Sequence, residues 1–303
     1  MKIEKNSPII QRLKEKQRLL AGGNPEHEKI KTALIVAGGV MKGVFSGGCL
    51  VGLEKLGFSS VFDVVVGISA GAANLAYFLS GQGAEGISIY YRDMNDLRFF
   101  DPLRFLKFKV MDIGYVEDTL RYGRRKLNVE AVRNSRSQFY VGVTRSSDGQ
   151  GQLKNVKEAK DMIMAIKASM TPPVLAFYHT PVVLDGERFV DGGMSIPLPI
   201  EEIIKLFHPT DLLVIINRPC NFREKSPSVI EKLLFSLMRP IIPRSSLGKS
   251  RAEYNRSLDL AMESINIGVI SPEEDNIGMF ERSATKLERC ARSGDEMIKQ
   301  LFG

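Results

Sequence analysis

Short, nearly continuous apolar runs alternate along the chain with longer stretches of helical period. Thr32–Val36, Phe62-Asp63-Val64-Val65-Val66, residues 139–144 and Leu212–Ile216 are bounded by polar or turn-forming residues. Runs of this length and kind predict strands covered on both faces, as in a parallel sheet. The helical pattern falls on 9–20, Ser46–Leu56, Ala72–Leu79, 157–169, Ile200–Phe207 and 279–301. Stop signals follow several of them: Gly22-Gly23-Asn24-Pro25, Gly57 and Thr171-Pro172-Pro173. Val182-Val183-Leu184 and Arg188-Phe189-Val190 flank Asp185-Gly186, a two-residue loop that predicts a β-hairpin. Strands alternating with helices predict an α/β layered fold with a mainly parallel sheet.

Composition sharpens this picture without changing it. The 303 residues are 44% hydrophobic and 25% charged, which excludes wholesale disorder and allows a sizeable core. No apolar run reaches the length of about 18 residues that a membrane-spanning helix requires. Met1-Lys2-Ile3-Glu4-Lys5 lacks the apolar stretch of a secretory signal. Cys49, Cys220 and Cys290 are far apart with no C-x-x-C pair, so neither a disulfide framework nor a zinc site is expected. A reducing, cytoplasmic location is expected.

The net charge of +7 is unevenly spread. Residues 1–31, 92–136 and 218–256 carry +4, +4 and +6, so the remainder is a mildly acidic body. Basic segments are often just solvated surface, and they can also attract anionic lipid or nucleic acid. No zinc spacing, helix-turn-helix or RNP pattern accompanies them, so nucleic acid is not an expected partner.

Gly67-Ile68-Ser69-Ala70-Gly71 joins a predicted strand to a predicted helix. That context suits a nucleophile elbow, in which small neighbours let a sharp turn lift the Ser hydroxyl above a helix N-terminus. The alternative is a tight turn with Ser69 as a helix cap. A second glycine-rich turn, Gly38-Gly39-Val40-Met41-Lys42-Gly43, follows the first strand. It lacks the G-K-[ST] of a P-loop and the second Gly of a dinucleotide loop, so an oxyanion-binding turn fits better than a nucleotide site. A packing turn is the alternative.

Asp191-Gly192-Gly193 follows the hairpin and would ordinarily be read as a turn. It gains meaning because a nucleophilic Ser needs a base. The three histidines, His27, His179 and His208, fall in polar or turn segments, and His208 lies between a helix and the start of a strand. That leaves Ser69 with Asp191. A free carboxyl is a weak base at neutral pH, and burial near Phe189 would raise its pKa.

Together and in this order, the three elements resemble the patatin-like phospholipase family. Tyr91-Arg92-Asp93, Phe139–Thr144, Ala168-Ser169-Met170 and Asp185–Asp191 are similar to a bacterial intracellular branch of it, as is the segment from Ile267 onward. The resemblance covers about residues 32–302. It implies a three-layer α/β/α sandwich: a hydrolase domain over 32–303 with basic apolar insertions near 92–136 and 218–256, after a basic helical arm over 1–31.

The family's activity implies hydrolysis of lipid acyl esters without a metal or cofactor. Ser69 and Asp191 would form the catalytic dyad. Gly38, Gly39, Val40, Lys42, Gly43 and Ala70 would form the oxyanion region, and Gly67, Gly71, Gly192 and Gly193 would support the motifs. Val40 stands where the family usually has a third Gly, Lys42 where it often has Arg, and Ile196 where this branch commonly has Asp.

The resulting expectation is a phospholipase, lysophospholipase or acyl esterase. The alternatives are a catalytically weak membrane-binding protein and an acyltransferase. The motifs specify neither acyl length, head group nor oligomeric state. Residues 97–111 and 218–256 combine basic and apolar side chains. They are expected to flank the site and dock it on the inner face of an anionic membrane, with the N-terminal helix as a third contact.

Overall fold

A computed structural model describes residues 3–107, 110–173, 180–229 and 246–303. His179 and the apolar core of the second basic segment, including Leu233, Phe235 and Ile241, lie outside these residues.

Helix α1 (Pro8–Ala21) precedes β1 (Thr32–Val36), α2 (Val44–Lys55), β2 (Val64–Ile68), α3 (Ala70–Leu79) and α4 (Gly83–Arg92). Next come α5 (Ile113–Tyr122), α6 (Val129–Asn134), β3 (Gln138–Arg145), β4 (Gly151–Asn155) and α7 (Met162–Ser169). The hairpin β5 (Val182–Leu184) and β6 (Glu187–Asp191) is followed by α8 (Ile200–Phe207) and β7 (Asp211–Ile215). Helix α9 (Ser246–Glu263), β8 (Ile267–Ile270) and α10 (Ala284–Phe302) complete the described elements.

Among the described residues the strands form one sheet in the order β5-β6-β3-β2-β1-β7-β8, with β4 also on β3. Strands β3, β2, β1, β7 and β8 are parallel neighbours, while β4, β5 and β6 add antiparallel pairs on one side. Alternate residues of the parallel strands enter two separate cores. Leu34, Val36, Leu213 and Ile215 pack with α2, α3 and α10, whereas Ile35, Val66 and Val214 pack with Ile203 of α8 and Leu258 of α9. Coverage of both faces makes these strands continuous apolar runs and gives the expected α/β/α layering.

Several boundaries differ from the sequence expectation. The second strand starts at Val64 rather than Phe62, because the Asp63 carboxylate is tied to the Thr32 N–H at 2.8 Å and to Lys16. The helix expected from 157 starts at Met162, where Asp161 caps the N–H groups of Ile163 and Met164. The helix expected from 279 starts at Ala284, leaving residues 271–283 as an extended loop. Helices α4, α5, α6 and α9 and strand β4 were not anticipated by the apolar pattern. The Asp185-Gly186 turn has φ of 50° and 82°, as a left-handed hairpin turn needs.

Helix α1 is docked rather than free. Ile9, Ile10 and Leu13 join the core, Lys16 is fully buried against Asp63 and Thr32, and Arg12 pairs with Asp211 at 2.6 Å. Burial lowers the Lys16 pKa, and Asp63 opposes that shift. Thr32, Asp63 and Asp211 stand at the amino ends of their strands. The helix therefore lies at the far end of the sheet from Ser69, not beside it as the third membrane contact would require. Among the described residues no helix is long and apolar enough to cross a membrane.

Candidate active site

Strand β2 ends at Ile68 and α3 begins at Ala70, so Ser69 alone makes the turn. It does so with φ 53° and ψ −125°, a conformation that costs a residue with a side chain about 1–3 kcal/mol. Two contacts hold it. The Ser69 N–H donates to Ser169 Oγ at 2.9 Å, and Ser169 Oγ donates to the Gly142 carbonyl at 2.7 Å. The first glycine turn presses on the same residue. A Cβ on Gly38 would lie 2.7 Å from Ser69 Cβ, so the close approach of the two turns requires glycine.

Strand register brings Asp191 to Ser69. Strand β4 occupies one edge of β3 from Tyr140 to Thr144. The other edge pairs first with β2, ending at Ile68 opposite Gly142, and then with β6, where Asp191 stands opposite Val143. Consecutive residues of β3 thus seat Ile68 and Asp191 end to end. The chain leaves β6 through a short turn containing Gly192 and Gly193. A Cβ on Gly192 would meet the Gly142 carbonyl oxygen at 2.2 Å, so this seam is closed by backbone packing. Thr144 Oγ1 donates to the Asp191 carbonyl at 2.8 Å.

The Asp191 side chain is buried, and this desolvation pushes its pKa up to about 6. The nearby Ser69 hydroxyl and the Gly193 N–H, which donates at 2.8 Å, favour the carboxylate and limit the rise. A carboxylate with this pKa beside a hydroxyl can accept its proton near neutral pH.

The 38–43 turn is also strained. Gly39 has φ 149° and Val40 has φ 52°, and the left-handed region is a genuine outlier for a β-branched residue. Val40 opens a short 3-10 turn, and Ala70 opens α3. First-turn N–H groups have no carbonyl within their own turn to bond, so these two are available to an anion. The Lys42 N–H, in contrast, donates to the Gly39 carbonyl at 3.0 Å. Asn217, just past β7, donates to the carbonyls of Ala37 at 2.8 Å and Gly38 at 3.1 Å and accepts from the Ser46 N–H.

Ser69, Ala70, Val40 and Asp191 open into one cavity whose walls are apolar, including Ile89, Phe99, Met111, Val116 and Leu120. Residues from 94 to 99 and from 111 to 120 form much of that wall. Lys42 and Gly43 do not line it. Gly43 packs beneath Ala70 and Tyr90, and the Lys42 side chain turns to Asp275 in a second cavity of about 700 Å³. That larger cavity is lined in part by Cys290, whose pKa burial pushes up to about 11, so it is mostly protonated at neutral pH. Gly67 is the penultimate residue of β2 and Gly71 the second of α3, both in tight contact with neighbouring backbone.

His27 and His208 both lie toward the amino ends of the strands, away from Ser69. Ile196 is buried beside Gly142 and Gly151. Among the described residues no group of three or more His, Cys, Asp or Glu is placed to hold a metal ion. Sequence reasoning missed Asn217 and Asp275 and gave Thr144 and Ser169 no role. Each is a common polar residue whose partner is remote in sequence, so no local signal marks it.

The patatin-like phospholipase family matches residues 34–204, more than half of the chain. YjjU of Escherichia coli K12 is 30% identical over 175 residues, which cover 57% of this chain and 48% of that protein. The chain thus matches about half the length of this curated relative. Among solved structures, VipD from Legionella pneumophila aligns with a TM-score of 0.48 and 12% identity, over 90% of this chain and 66% of that one. Human GIVD cytosolic phospholipase A2, solved with a fluorophosphonate inhibitor, aligns with a TM-score of 0.38 and 13% identity, over 97% and 63%. The chain belongs to the patatin-like phospholipase family.

Proposed function

We propose that this family member is a lipid acyl hydrolase that works through an acyl-enzyme on Ser69 with Asp191 as base. Ser69 Oγ attacks the ester carbonyl carbon while its proton passes to Asp191. The oxyanion takes the N–H groups of Gly39, Val40 and Ala70. The C–O bond breaks as Asp191 returns the proton to the leaving alcohol, and the acyl group remains on Ser69. Water then attacks this ester, gives a proton to Asp191, and releases the fatty acid as Ser69 regains its own. The observation that carries the reading is the placement of the buried Asp191 beside Ser69 at the end of an apolar cavity, where desolvation raises its pKa to about 6. An apolar wall suits an acyl chain and desolvates the base in one arrangement.

The test is labelling by a fluorophosphonate probe. Wild type should label, and Ser69→Ala and Asp191→Asn should not. Labelling that persists in Ser69→Ala removes Ser69 as nucleophile. Folded wild type that never labels favours a lipid-binding protein instead, a reading that the strained Val40 supports.

Contact with an anionic membrane belongs to the same proposal. Leu97 and Leu103 are exposed beside Arg98 and Arg104, on the segment that contributes to the cavity wall. Local pairing weakens the electrostatic part: Arg98 meets Asp96, Arg125 meets Asp93, and Arg223 meets Asp259. Binding to anionic liposomes that falls with added salt and with Leu103→Asp is the expected result. Binding indifferent to both would remove this part of the proposal.

A further inference from the structure

Resting on the hydrolase reading, we infer that Asp275 is a positioning residue: its ion pair with Lys42 latches the 38–43 turn so that Val40 stays in the left-handed conformation that presents its N–H toward Ser69. Left-handed backbone at a β-branched residue persists only when its surroundings hold it there. Four ties reach this turn from outside. Asn217 binds the carbonyls of Ala37 and Gly38, the Asn74 amide donates to the Gly43 carbonyl at 2.8 Å, the Met41 N–H donates to the Met279 carbonyl at 3.3 Å, and Lys42 pairs with Asp275. Asn217 holds only the entry to the turn and Asn74 only its end. The other two grip it immediately after Val40, and both come from the 271–283 loop between β8 and α10.

The pair is well placed for this. The Lys42 side chain is 9% exposed and points away from the Ser69 cavity, so its charge acts on the turn's position and not on substrate. Gly39 makes room for it: a Cβ there would stand 3.2 Å from Lys42 Cβ, closer than ordinary contact. Asp275 is 38% exposed on its loop, which makes it the replaceable half of the latch. Asp275 also lies outside the stretch matched by the family, at residues 34–204.

The experiment compares wild type, Asp275→Asn, Val40→Gly and the double variant by fluorophosphonate labelling rate, ester kcat and KM, and amide hydrogen exchange of the peptide spanning the turn. Asp275→Asn should cut kcat and labelling about tenfold with KM within about twofold, and it should speed exchange in the turn. Glycine adopts the left-handed conformation without strain. In the Val40→Gly background the Asp275→Asn effect on kcat should therefore shrink to less than about threefold. Asp275→Glu, which keeps the charge, should recover most of the rate. An Asp275→Asn protein with wild-type exchange in the turn, or an equal loss in both backgrounds, overturns the latch. Wild type that never labels overturns the hydrolase reading instead, and exchange in the turn still judges the latch. Should Asp275→Asn fail to fold, Asp275→Ser measured by exchange replaces it with the same two outcomes.

Discussion

Replacing Asp191 with Asn should stabilise the protein while removing its activity, and the stabilisation should depend on pH. Burial raises the Asp191 pKa from 3.8 to about 6. A shift of about two units corresponds to about 3 kcal/mol. The folded state binds this proton more tightly than the unfolded chain. Its contribution to stability is therefore fully present below the unfolded pKa, declines as pH rises from about 4 to about 6, and is absent above the folded pKa. Above about pH 7 the wild type carries the full cost of a buried carboxylate. An Asn side chain avoids that cost: its oxygen can still accept from the Gly193 N–H, and its amide can donate to Ser69 Oγ. For 303 residues, an unfolding entropy of about 2.1 cal/mol/K per residue turns 3 kcal/mol into about 5 °C. Thermal melts at about pH 8 should place Asp191→Asn up to about 5 °C above wild type, and the two should converge at about pH 4. Ester hydrolysis should fall about a thousandfold. A Tm difference of the same size at both pH values, or a variant less stable than wild type at pH 8, would refute the claim that burial of this carboxylate sets its proton affinity.

Wild-type kcat/KM on a non-ionising ester should rise with pH and reach half its plateau near pH 6, since Asp191 must be unprotonated to act; a flat profile from about pH 4 to 8 would contradict this. Ser69→Gly should melt above Ser69→Ala by about 1–2 kcal/mol, because glycine alone relieves the left-handed turn. Ser169→Ala removes the acceptor for the Ser69 N–H and the donor to Gly142, and should cost about 1–3 kcal/mol together with a lower kcat, measured by urea unfolding and ester kinetics. Lys16→Ala should destabilise by about 3 kcal/mol in urea yet leave kcat near wild type where the protein remains folded, because that residue is at the far end of the sheet.

Much of the layering was legible from one-dimensional pattern. Strands buried on both faces are apolar through their length beyond the first residue, so Ala33–Val36 and Leu212–Ile215 announce themselves as apolar runs. The hairpin was legible for another local reason: Asp185 and Gly186 tolerate positive φ. Helices α5 and α6 were less visible, because their short faces mix charges with apolar residues that line a cavity or meet neighbouring helices. The boundary shifts at Asp63, Asp161 and Ser283 arise where side chains capture backbone N–H groups.

The sequence by itself determined the fold class and the two strand–helix turns, and it put an acid forward as the partner of Ser69 in preference to a histidine. These depend on residue type and spacing within a few positions. Only the tertiary structure decided what surrounds them. The two-edged pairing of β3 seats Asp191 beside Ser69 across more than a hundred residues of chain, and burial there sets the proton affinity of the carboxylate. The same long-range packing sends Lys42 away from the cavity to Asp275 and holds Val40 in a conformation its side chain disfavours. Register, desolvation and strain are properties of chains brought together, and no local stretch of sequence contains them.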